Sequence, residues 1–442
     1  MYTKYTSFKE IADDFLSRTG TAVIYADEND AVHEVSYPEL ADMIYAEVSH
    51  LRAVCSIAEV VRAERSLETI VSIMAHIIAG ADIVLGDPMM PDEIAENAAI
   101  AAEEAKMERS IKRDSRGRIS LVRKEGEMLF FTSGTTSRSK IVRLTSETMC
   151  ASAWNGQSML QCGEGDVILS ILPLSHVFGF VCSMLWGIAY GAGIALGRGT
   201  AHLADDVRLF RPTILPAVPS QISVMMRSES FNPELKTILI GGAPCTPDMI
   251  SFLREKGIDV YIGYGLTETA SGIAITQDQD EPFALYPCPD SDISIEADGE
   301  VTVATSCMME GYIGAIPMFD GDRFFTGDIG SVDEKGRLHL TGRKKDVLLM
   351  EDGSKIFCPE YEEDIAEKTG FDDLAIIKKD GHAVLIAGMD GNRAVLMNAV
   401  NEYNRDLQRS QQICDVMILE HRLPRTATGK VKRYELQEEL GE

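Results

Sequence analysis

A group of hydroxyl-bearing and basic residues near position 135 has the composition of an anion-binding loop. It follows an apolar run, Met-Leu-Phe-Phe at residues 128–131, which predicts a strand. Small residues let backbone N–H groups converge on an anion, hydroxyls add donors, and nearby cations supply opposite charge. The small and hydroxyl residues are Thr132, Ser133, Gly134, Thr135 and Thr136, and the cations after them are Arg138, Lys140 and Arg143. The segment therefore predicts a loop that could hold a polyphosphate.

Taken alone, this loop has a simpler interpretation. A solvated Ser/Thr turn is the usual meaning of such a stretch. The loop is also not of the GxxxxGK[ST] type, because the order of its Lys and its hydroxyl residues is reversed. By itself, the loop does not establish nucleotide binding.

The composition limits the class of protein. A chain of 442 residues is too long for one ordinary core, so two or three domains are expected. A formal net charge of −27 argues against a general nucleic-acid or anionic-membrane binder, which would need a basic face. The cations nevertheless concentrate at residues 138–143, 343–345 and 422–433. Screening over about 8 Å lets such clusters dominate locally, although a solvated face is the commoner meaning of a charge run.

Cysteine and histidine usage predicts a cytoplasmic protein without a transition-metal site. The nine cysteines are an odd number and include no CxxC pair, which fits reduced, buried thiols better than a disulfide framework. The eight histidines form no paired-ligand pattern. The N-terminal residues lack the apolar region of a targeting peptide.

Residues 179–197 are nearly uncharged and long enough to span a bilayer. Glycines at 187, 191, 193 and 197 divide this segment. We therefore expect a buried helix at 180–190 followed by a short strand at 193–196, and no membrane span.

The order of apolar and amphipathic segments predicts an α/β fold. Short apolar strands alternate with helical stretches from residue 21 to residue 262, which favours mainly parallel sheets covered by helices. Residues 292–340 change to short alternating strands with glycine turns and predict a β-rich subdomain. The last hundred residues have the size of a small α+β domain. We predict an N-terminal core at 1–344 and a small C-terminal domain at 345–442.

Seven segments, in order, resemble the motifs of the adenylate-forming superfamily, which includes acyl- and aryl-CoA synthetases, luciferases and the adenylation domains of peptide synthetases. The first is the loop described above, which is similar to TSGTTGxPK. The others are LPLSHVFG at 172–179, GGAP at 241–244, YGLTE at 264–268, TGD at 326–328, GRKKD at 342–346 and LPRTATGK at 423–430. The similarity extends from about Ser36 to Arg433. The ordered set is very hard to obtain by chance.

The resemblance implies a set of nucleotide-binding and catalytic residues. It implies that Tyr264 stacks on adenine, that Asp328 accepts from the ribose hydroxyls with help from Arg343, and that Glu268 holds Mg²⁺. Thr267 would contact the phosphate and the acyl carboxylate, and Lys430 would bridge the acyl oxygen and the α-phosphate. The remaining ATP or AMP contacts implied are Thr132, Ser133, Gly134, Thr135, Thr136, Lys140, Gly241, Gly242, Ala243 and Gly265.

The resemblance also implies an acyl pocket and a conformational hinge. The pocket residues would be Ser175, His176, Phe178 and Gly179. His176 could gate the pocket, and a core or capping histidine is the competing interpretation. Lys345 would be the hinge of a mobile C-terminal domain, and Gly353 would lie beside the tunnel through which a pantetheine thiol reaches the adenylate. Residues 172–180 contain no acidic side chain to bind a substrate ammonium, so free amino acids are unexpected substrates.

The implied function is ATP-dependent activation of a small-molecule carboxylic acid, fatty or aryl, followed by thioester formation with CoA. ATP, Mg²⁺ and CoA are the implied cofactors. A phosphopantetheinyl acyl carrier protein is the alternative acceptor, and its usual acidic helix would be repelled by this acidic chain. A third possibility is an adenylate-binding protein with weakened catalysis, because Ser137 and Ser139 replace the Gly and Pro usual in the first motif. Retention of the catalytic Lys, Glu, Asp and Arg residues argues against it.

Overall fold

Apolar strands alternate with helices along most of the chain. The computed structural model describes residues 2–54, 58–109, 125–132, 140–314, 319–350, 354–425 and 431–440. In chain order the strands are β1 (Thr21–Ala26), β2 (Val32–Ser36), β3 (Glu59–Arg62), β4 (Ile83–Gly86), β5 (Glu127–Phe131), β6 (Ile141–Thr145), β7 (Val167–Ser170), β8 (Gly193–Leu196), β9 (Ile214–Ala217), β10 (Thr237–Ile240), β11 (Asp259–Leu266), β12 (Ser271–Thr276), β13 (Leu285–Pro287), β14 (Ser291–Ile295), β15 (Glu300–Thr305), β16 (Gly311–Ile313), β17 (Phe319–Asp320), β18 (Arg323–Val332), β19 (Leu338–Arg343), β20 (Val347–Leu349), β21 (Lys355–Phe357), β22 (Leu374–Lys379), β23 (His382–Ala387) and β24 (Ile413–Ile418).

Several helices begin after a side-chain cap or with a proline in the first turn. Ser66, for example, accepts a hydrogen bond from the Thr69 N–H at the start of the third helix. In chain order the helices are α1 (Phe8–Phe15), α2 (Tyr37–Val54), α3 (Leu67–Ala79), α4 (Asp92–Arg109), α5 (Ser146–Met159), α6 (Val177–Phe180), α7 (Trp186–Tyr190), α8 (Leu203–Phe210), α9 (Pro219–Ser228), α10 (Pro247–Glu255), α11 (Cys358–Thr369), α12 (Arg393–Tyr403) and α13 (Arg433–Glu439).

The largest sheet combines a parallel half with an antiparallel half. Strands β1, β8, β7, β9, β10 and β11 are mutually parallel, and β2 pairs antiparallel at the β1 edge. From β11 the sheet continues through β12, β13, β19, β18, β15 and β14, whose pairings are antiparallel. Strands β8 and β9 are buried along their whole length, as expected when helices cover both faces of a parallel sheet.

A second sheet carries the strands on either side of the predicted phosphate loop. Strands β3, β4 and β5 are parallel, whereas β6 and β16 pair antiparallel, in the order β16-β6-β5-β4-β3. The hairpin of β5 and β6 therefore brings the two ends of the loop together at the same end of these strands, where Phe131 pairs with Ile141. Strand β16 comes from much later in the chain.

The C-terminal part has its own small sheets and its own core. Strands β20 and β21 form a hairpin, and β22, β23 and β24 form a separate sheet. Two apolar clusters fill this part, and every residue in them lies after position 345. The α/β class expected from the sequence is confirmed by this mixture of a parallel-rich sheet, an antiparallel extension and small C-terminal sheets.

Two elements differ from the expectation. The strand expected at 259–262 continues to Leu266, so the YGL residues of the fourth motif belong to β11. The helix expected at 180–190 contains a π-helical turn at Val181–Leu185 between α6 and α7. Within the described residues, no helix combines the length and the apolar character needed to cross a membrane.

Candidate active site

The carboxyl ends of the parallel strands bring three motif segments to one edge of the large sheet. Segment 172–179 follows β7, segment 241–243 follows β10, and β11 runs directly through Tyr264. Ligands in open α/β sheets bind at the carboxyl ends of the strands. The topology thus collects the segments expected to bind the acyl group and adenine.

Tyr264, Asp328 and Arg343 form a hydrogen-bonded cluster. Asp328 on β18 and Arg343 on β19 are register partners, and the Arg343 Nε atom lies 2.6 Å from Asp328 Oδ1. The Tyr264 hydroxyl donates to the other carboxylate oxygen, Oδ2, at 2.7 Å. Asp328 is buried, whereas the Arg343 side chain is 38% exposed. One carboxylate is therefore held in a single orientation beside an accessible cation.

The electrostatics of this cluster keep the tyrosine protonated. Burial, and secondly the negative charge of Asp328, raise the pKa of Tyr264 well above its usual value. The Thr326 hydroxyl donates to the Val301 carbonyl oxygen at 2.7 Å and accepts from the Asp328 N–H at 3.0 Å. These bonds fix the backbone that carries the carboxylate. Adenine stacking on Tyr264 remains a prediction.

A second cluster joins Lys140, Tyr312 and Glu268, which come from three distant segments. The Lys140 Nζ atom lies 4.6 Å from the centre of the Tyr312 ring. The Tyr312 hydroxyl donates to Glu268 Oε1 at 2.7 Å. Lys140 and Glu268 were expected at the triphosphate and Mg²⁺, and Tyr312 was not singled out from the sequence. The one sequence signal for it is a short Gly-Tyr-Ile strand between a turn and a glycine.

The phosphate loop is closed by the two residues that flank it. The Thr132 N–H donates to the Lys140 carbonyl oxygen at 2.9 Å, and the Lys140 N–H donates to Thr132 Oγ1 at 3.2 Å. Residues 133–139 between them, which include the expected phosphate contacts Ser133, Gly134, Thr135 and Thr136, lie outside the described residues.

Two further expected site residues also lie outside the described residues, namely Gly353 and Lys430. Segment 426–430 is bounded by an antiparallel bridge between Arg425 and Val431, and the Lys432 N–H donates to the Pro424 carbonyl oxygen at 2.8 Å. The residues on either side of segment 426–430 are therefore joined to each other by backbone hydrogen bonds.

The turn that carries Thr267 and Glu268 is held by Thr269. The buried Thr269 hydroxyl accepts from the Leu266 N–H at 3.0 Å and lies 3.1 Å from the Ser271 carbonyl oxygen. Ala270 and Ser271 follow with φ angles of 46° and 100°. Positive φ in residues other than glycine costs free energy and is common at functional sites. Gly265 allows this close approach, because a Cβ atom there would lie 1.4 Å from the Ser271 oxygen.

The expected acyl segment lies against the expected adenine segment. A Cβ atom on Gly241 would lie 3.0 Å from the ring of Phe178, so the ring packs directly on the Gly241 backbone. Gly179 lies in α6, and the Ser175 hydroxyl is buried without a hydrogen bond to any described residue. His176 is the exposed N-cap of α6, and its side chain makes no capping hydrogen bond.

The pKa of His176 is lowered from its usual value. The protein around the ring displaces water and destabilises the charged form, although the side chain is exposed, and Asp87 opposes this effect. The π-helical turn that follows α6 brings Cys182 Sγ to 3.5 Å from Ser271 Oγ. A π-helical turn is often found at a functional site. Here it brings a side chain of the helical segment after the acyl residues against the side chain of Ser271, three positions after Glu268.

The expected hinge lies in an exposed turn. Lys345 is exposed within the 3₁₀ turn Lys344–Asp346. Lys344 contacts Glu300 Oε2 at 2.6 Å and Asp298 Oδ2 at 2.7 Å. Asp346 contacts the guanidinium of Arg433 at 2.7 Å.

Several cations that the sequence suggested for anion binding are paired with carboxylates instead. Arg143 is buried in β6 and makes two hydrogen bonds to Glu127, at 2.9 and 3.0 Å, so its assignment to the phosphate cluster was wrong. Because strand residues alternate between faces, Arg143 cannot be assumed to share the loop's environment. Arg425 pairs with Asp373 at 3.0 Å. The basic clusters therefore carry less net positive charge than the number of their Lys and Arg residues indicates.

The donor set suits Mg²⁺ held together with a polyphosphate. One oxygen of Glu268 accepts from Tyr312, and the other makes no hydrogen bond to a described residue. No group of three or more His, Cys, Asp or Glu side chains within the described residues could hold a metal ion. Mg²⁺ usually binds through one or two carboxylates plus substrate phosphates, and this site provides one such carboxylate.

Comparison of the sequence with known proteins gives matches to AMP-binding enzymes and CoA ligases. A family model described as AMP-binding enzyme matches residues 98–313. The 2-succinylbenzoate–CoA ligase of Listeria innocua is 26% identical over 332 residues, which cover 70% of this chain and 69% of the relative. The 2-succinylbenzoate–CoA ligase of Bacillus velezensis is 27% identical over 337 residues, which cover 70% of this chain and 68% of the relative.

Solved structures share the fold over nearly the whole chain. The o-succinylbenzoate CoA synthetase MenE of Bacillus subtilis, in complex with its acyl-adenylate intermediate, has a TM-score of 0.79 and 22% identity over 99% of both chains. ATP-bound MatB of Rhodopseudomonas palustris has a TM-score of 0.77 and 20% identity, again over 99% of both chains.

Proposed function

We propose that this chain, which belongs to the adenylate-forming superfamily of AMP-binding enzymes, activates a carboxylic acid with Mg-ATP and transfers the acyl group to CoA. The observation that carries the proposal is the cluster of Tyr264, Asp328 and Arg343 at the edge of the large sheet. A buried carboxylate with both oxygens oriented, beside an accessible cation, suits the hydroxyls and phosphate of a nucleotide.

In the first half-reaction a carboxylate oxygen of the acid attacks the α-phosphorus of ATP. The new P–O bond forms as the bond to pyrophosphate breaks. Acid and nucleotide repel each other, so the site must supply positive charge and alignment rather than a general base. Bound Mg²⁺ would neutralise phosphate charge at Glu268. Lys140 would bind the leaving phosphates, and Lys430 would bridge the acyl oxygen and the α-phosphate.

In the second half-reaction a thiol attacks the acyl carbonyl carbon, forming a thioester and releasing AMP. We propose that the boundary lies between residues 344 and 345 and that Lys345 is the hinge. Rotation there would exchange Lys430 for the segment around Gly353. The separate apolar clusters after residue 345 support a C-terminal unit with its own core.

We propose a fatty or aryl acid as the substrate class and the cytoplasm as the location. The curated relatives named above are ligases of an aryl acid. Residues 172–180 provide no carboxylate for a substrate ammonium. Every cysteine in the described part of the chain is a free thiol, which suits a reducing compartment.

The test is ATP–pyrophosphate exchange over a panel of fatty, aryl, arylalkanoic and amino acids, followed by AMP release with CoA, pantetheine or a pantetheinylated carrier protein. We expect exchange with a fatty or aryl acid and faster AMP release with CoA than with pantetheine. Exchange with no acid would contradict the enzyme assignment. AMP release that is much faster with the carrier protein would assign the chain to carrier loading.

A further inference from the structure

The contacts of Tyr312 connect two groups that the proposed function requires at the phosphates. Its hydroxyl donates to Glu268 Oε1 at 2.7 Å, and its ring lies under the Lys140 ammonium, 4.6 Å from Nζ. No salt bridge joins Lys140 and Glu268, and within the described residues neither side chain makes another hydrogen bond or ion pair. One tyrosine therefore contacts both of these opposite charges, which do not pair with each other.

The backbone explains how Tyr312 reaches both groups. Tyr312 on β16 is the antiparallel register partner of Val142 on β6. Lys140 lies just before β6 and two positions before Val142, and the Thr132 N–H bond to its carbonyl oxygen continues the β5–β6 pairing to this residue. Residues two apart in such an extended backbone point to the same face. The Tyr312 ring and the Lys140 side chain are thus diagonal neighbours, which long side chains can bridge.

The same strand is also tied to the turn that carries Glu268. The Met309 N–H donates to the Glu268 carbonyl oxygen at 2.8 Å, and the Glu310 N–H donates to the Arg143 carbonyl oxygen at 2.9 Å. Residues 309–313 therefore connect the Glu268 turn to β6 through the backbone. The position of the Tyr312 hydroxyl relative to Glu268 is set by main-chain bonds and not only by its own side chain.

We propose that Tyr312 is a positioning residue that orients Glu268 for Mg²⁺ and keeps the Lys140 ammonium separate from that carboxylate before Mg-ATP binds. This inference rests on the proposed function. A cation over an aromatic face is attracted to the ring, so Lys140 has a resting place that leaves its charge available to phosphate. The hydroxyl occupies one oxygen of Glu268 and leaves the other for the cation.

The Tyr312 hydroxyl is the donor in its bond to Glu268, because a carboxylate oxygen can only accept. A donor of this kind is replaced most cleanly by phenylalanine, which keeps the ring.

The experiment compares Tyr312→Phe, Tyr312→Leu and, as a matched control, Tyr286→Phe, a tyrosine on β13. ATP binding is measured by calorimetry with and without Mg²⁺, and the Mg²⁺ midpoint of pyrophosphate exchange is measured separately. For Tyr312→Phe we expect Mg²⁺-dependent ATP binding to weaken about tenfold, with little change in ATP binding in EDTA. For Tyr312→Leu we expect both to weaken, because Lys140 loses the ring.

The outcomes separate the inference from the proposed function. If the unmodified protein binds ATP with Mg²⁺ and Tyr312→Phe matches Tyr286→Phe, the positioning role is overturned while the proposed function stands. A loss in Tyr312→Leu that follows its lowered melting temperature, with no effect in Tyr312→Phe, would make Tyr312 a packing residue and would also overturn the inference. If the unmodified protein shows no Mg²⁺-dependent ATP binding, both proposals fail.

Discussion

The guanidinium of Arg433 contacts Asp346 Oδ1 at 2.7 Å, which joins the chain just after the Lys430 segment to the turn that contains Lys345. The same guanidinium contacts both carboxylate oxygens of Glu362 on α11 at 2.6 Å. The segment expected to carry the catalytic lysine is therefore bound to the expected hinge. A rotation of the C-terminal part would move the two together.

Replacing Arg433 tests this connection. Arg433→Met leaves the largely buried carboxylates of Asp346 and Glu362 without a cation, so we expect the free energy of unfolding to fall by about 3 kcal/mol. Chemical denaturation measures it. The control is Arg422→Met, since the Arg422 side chain is 80% exposed and lies 4.0 Å from Asp390. Equal losses in the two variants would contradict a special role for Arg433.

Removing the expected catalytic lysine should separate the half-reactions. We expect Lys430→Ala to slow adenylation about 100-fold, or about 3 kcal/mol, as for the loss of one transition-state donor. Thioester formation from a supplied acyl-adenylate should be spared, and rapid-quench assays of each step measure both. An equal loss in both steps would refute the exchange of segments about Lys345.

Replacing Asp328 should weaken the binding of ATP and leave the binding of the carboxylic acid unchanged. Asp328→Asn removes the charge that the Arg343 and Tyr264 side chains face, and hydrogen bonds to charged groups contribute about 1.5–3 kcal/mol. We expect the KM for ATP to rise about 10- to 100-fold, while the KM for the acid stays the same. Asp320→Asn, an exposed residue on β17, is the control. A matching rise in the KM for the acid would argue against a specific role in nucleotide binding.

The contact between Phe178 and Gly241 should control the size of the acyl pocket. A Cβ atom in Gly241→Ala would lie 3.0 Å from the Phe178 ring and would push it away from the backbone. We expect the KM for a bulky acid to rise about tenfold, a change typical of one misplaced methyl-sized group. The double variant with Phe178→Leu should restore it. If the double variant is as impaired as Gly241→Ala, the ring is not the affected group.

Two histidines should have opposite effects on the pH dependence of stability. The folded protein lowers the pKa of His176 below about 6.5, so its unfolded form binds a proton first as the pH falls. The free energy of unfolding should thus decline as the pH falls below about 6.5, because protonation of His176 favours the unfolded form. His176→Gln should remove that decline. Unfolding between about pH 5 and pH 7 measures this effect.

His421 provides the control of opposite sign. The Arg422 carbonyl oxygen, and then Glu439, raise the pKa of His421. Protonated His421 therefore stabilises the folded protein. This stabilisation is complete below about pH 6.5 and is lost as the pH rises through the pKa of His421 in the folded protein. His421→Gln should therefore remove the loss of unfolding free energy that occurs as the pH rises above about 6.5. The same pH response in both variants would contradict the two assignments.

The sequence predicted secondary-structure elements that follow from local residue patterns, and it missed side-chain contacts between residues that are far apart in the chain. Strand β10 matched its expected bounds because Thr237–Ile240 is a short apolar run before a glycine pair. Tyr312 was missed because its partners, Lys140 and Glu268, are 172 and 44 positions away. The environment of Arg143 was misjudged because pairing with Glu127 depends on the strand register.

The pairing of β16 with β6 also has a consequence for synthesis on the ribosome. Strand β6 ends at Thr145, and its partner begins at Gly311, about 165 residues later. At a synthesis rate of about 5–20 residues per second, the β6 edge of the second sheet stays unpaired for about 10–30 s. An open edge can pair with other chains, so this interval is when the nascent protein is most exposed to misassembly. Tyr312 arrives with the strand that closes the edge, and the cluster of Lys140, Glu268 and Tyr312 is completed at the same step.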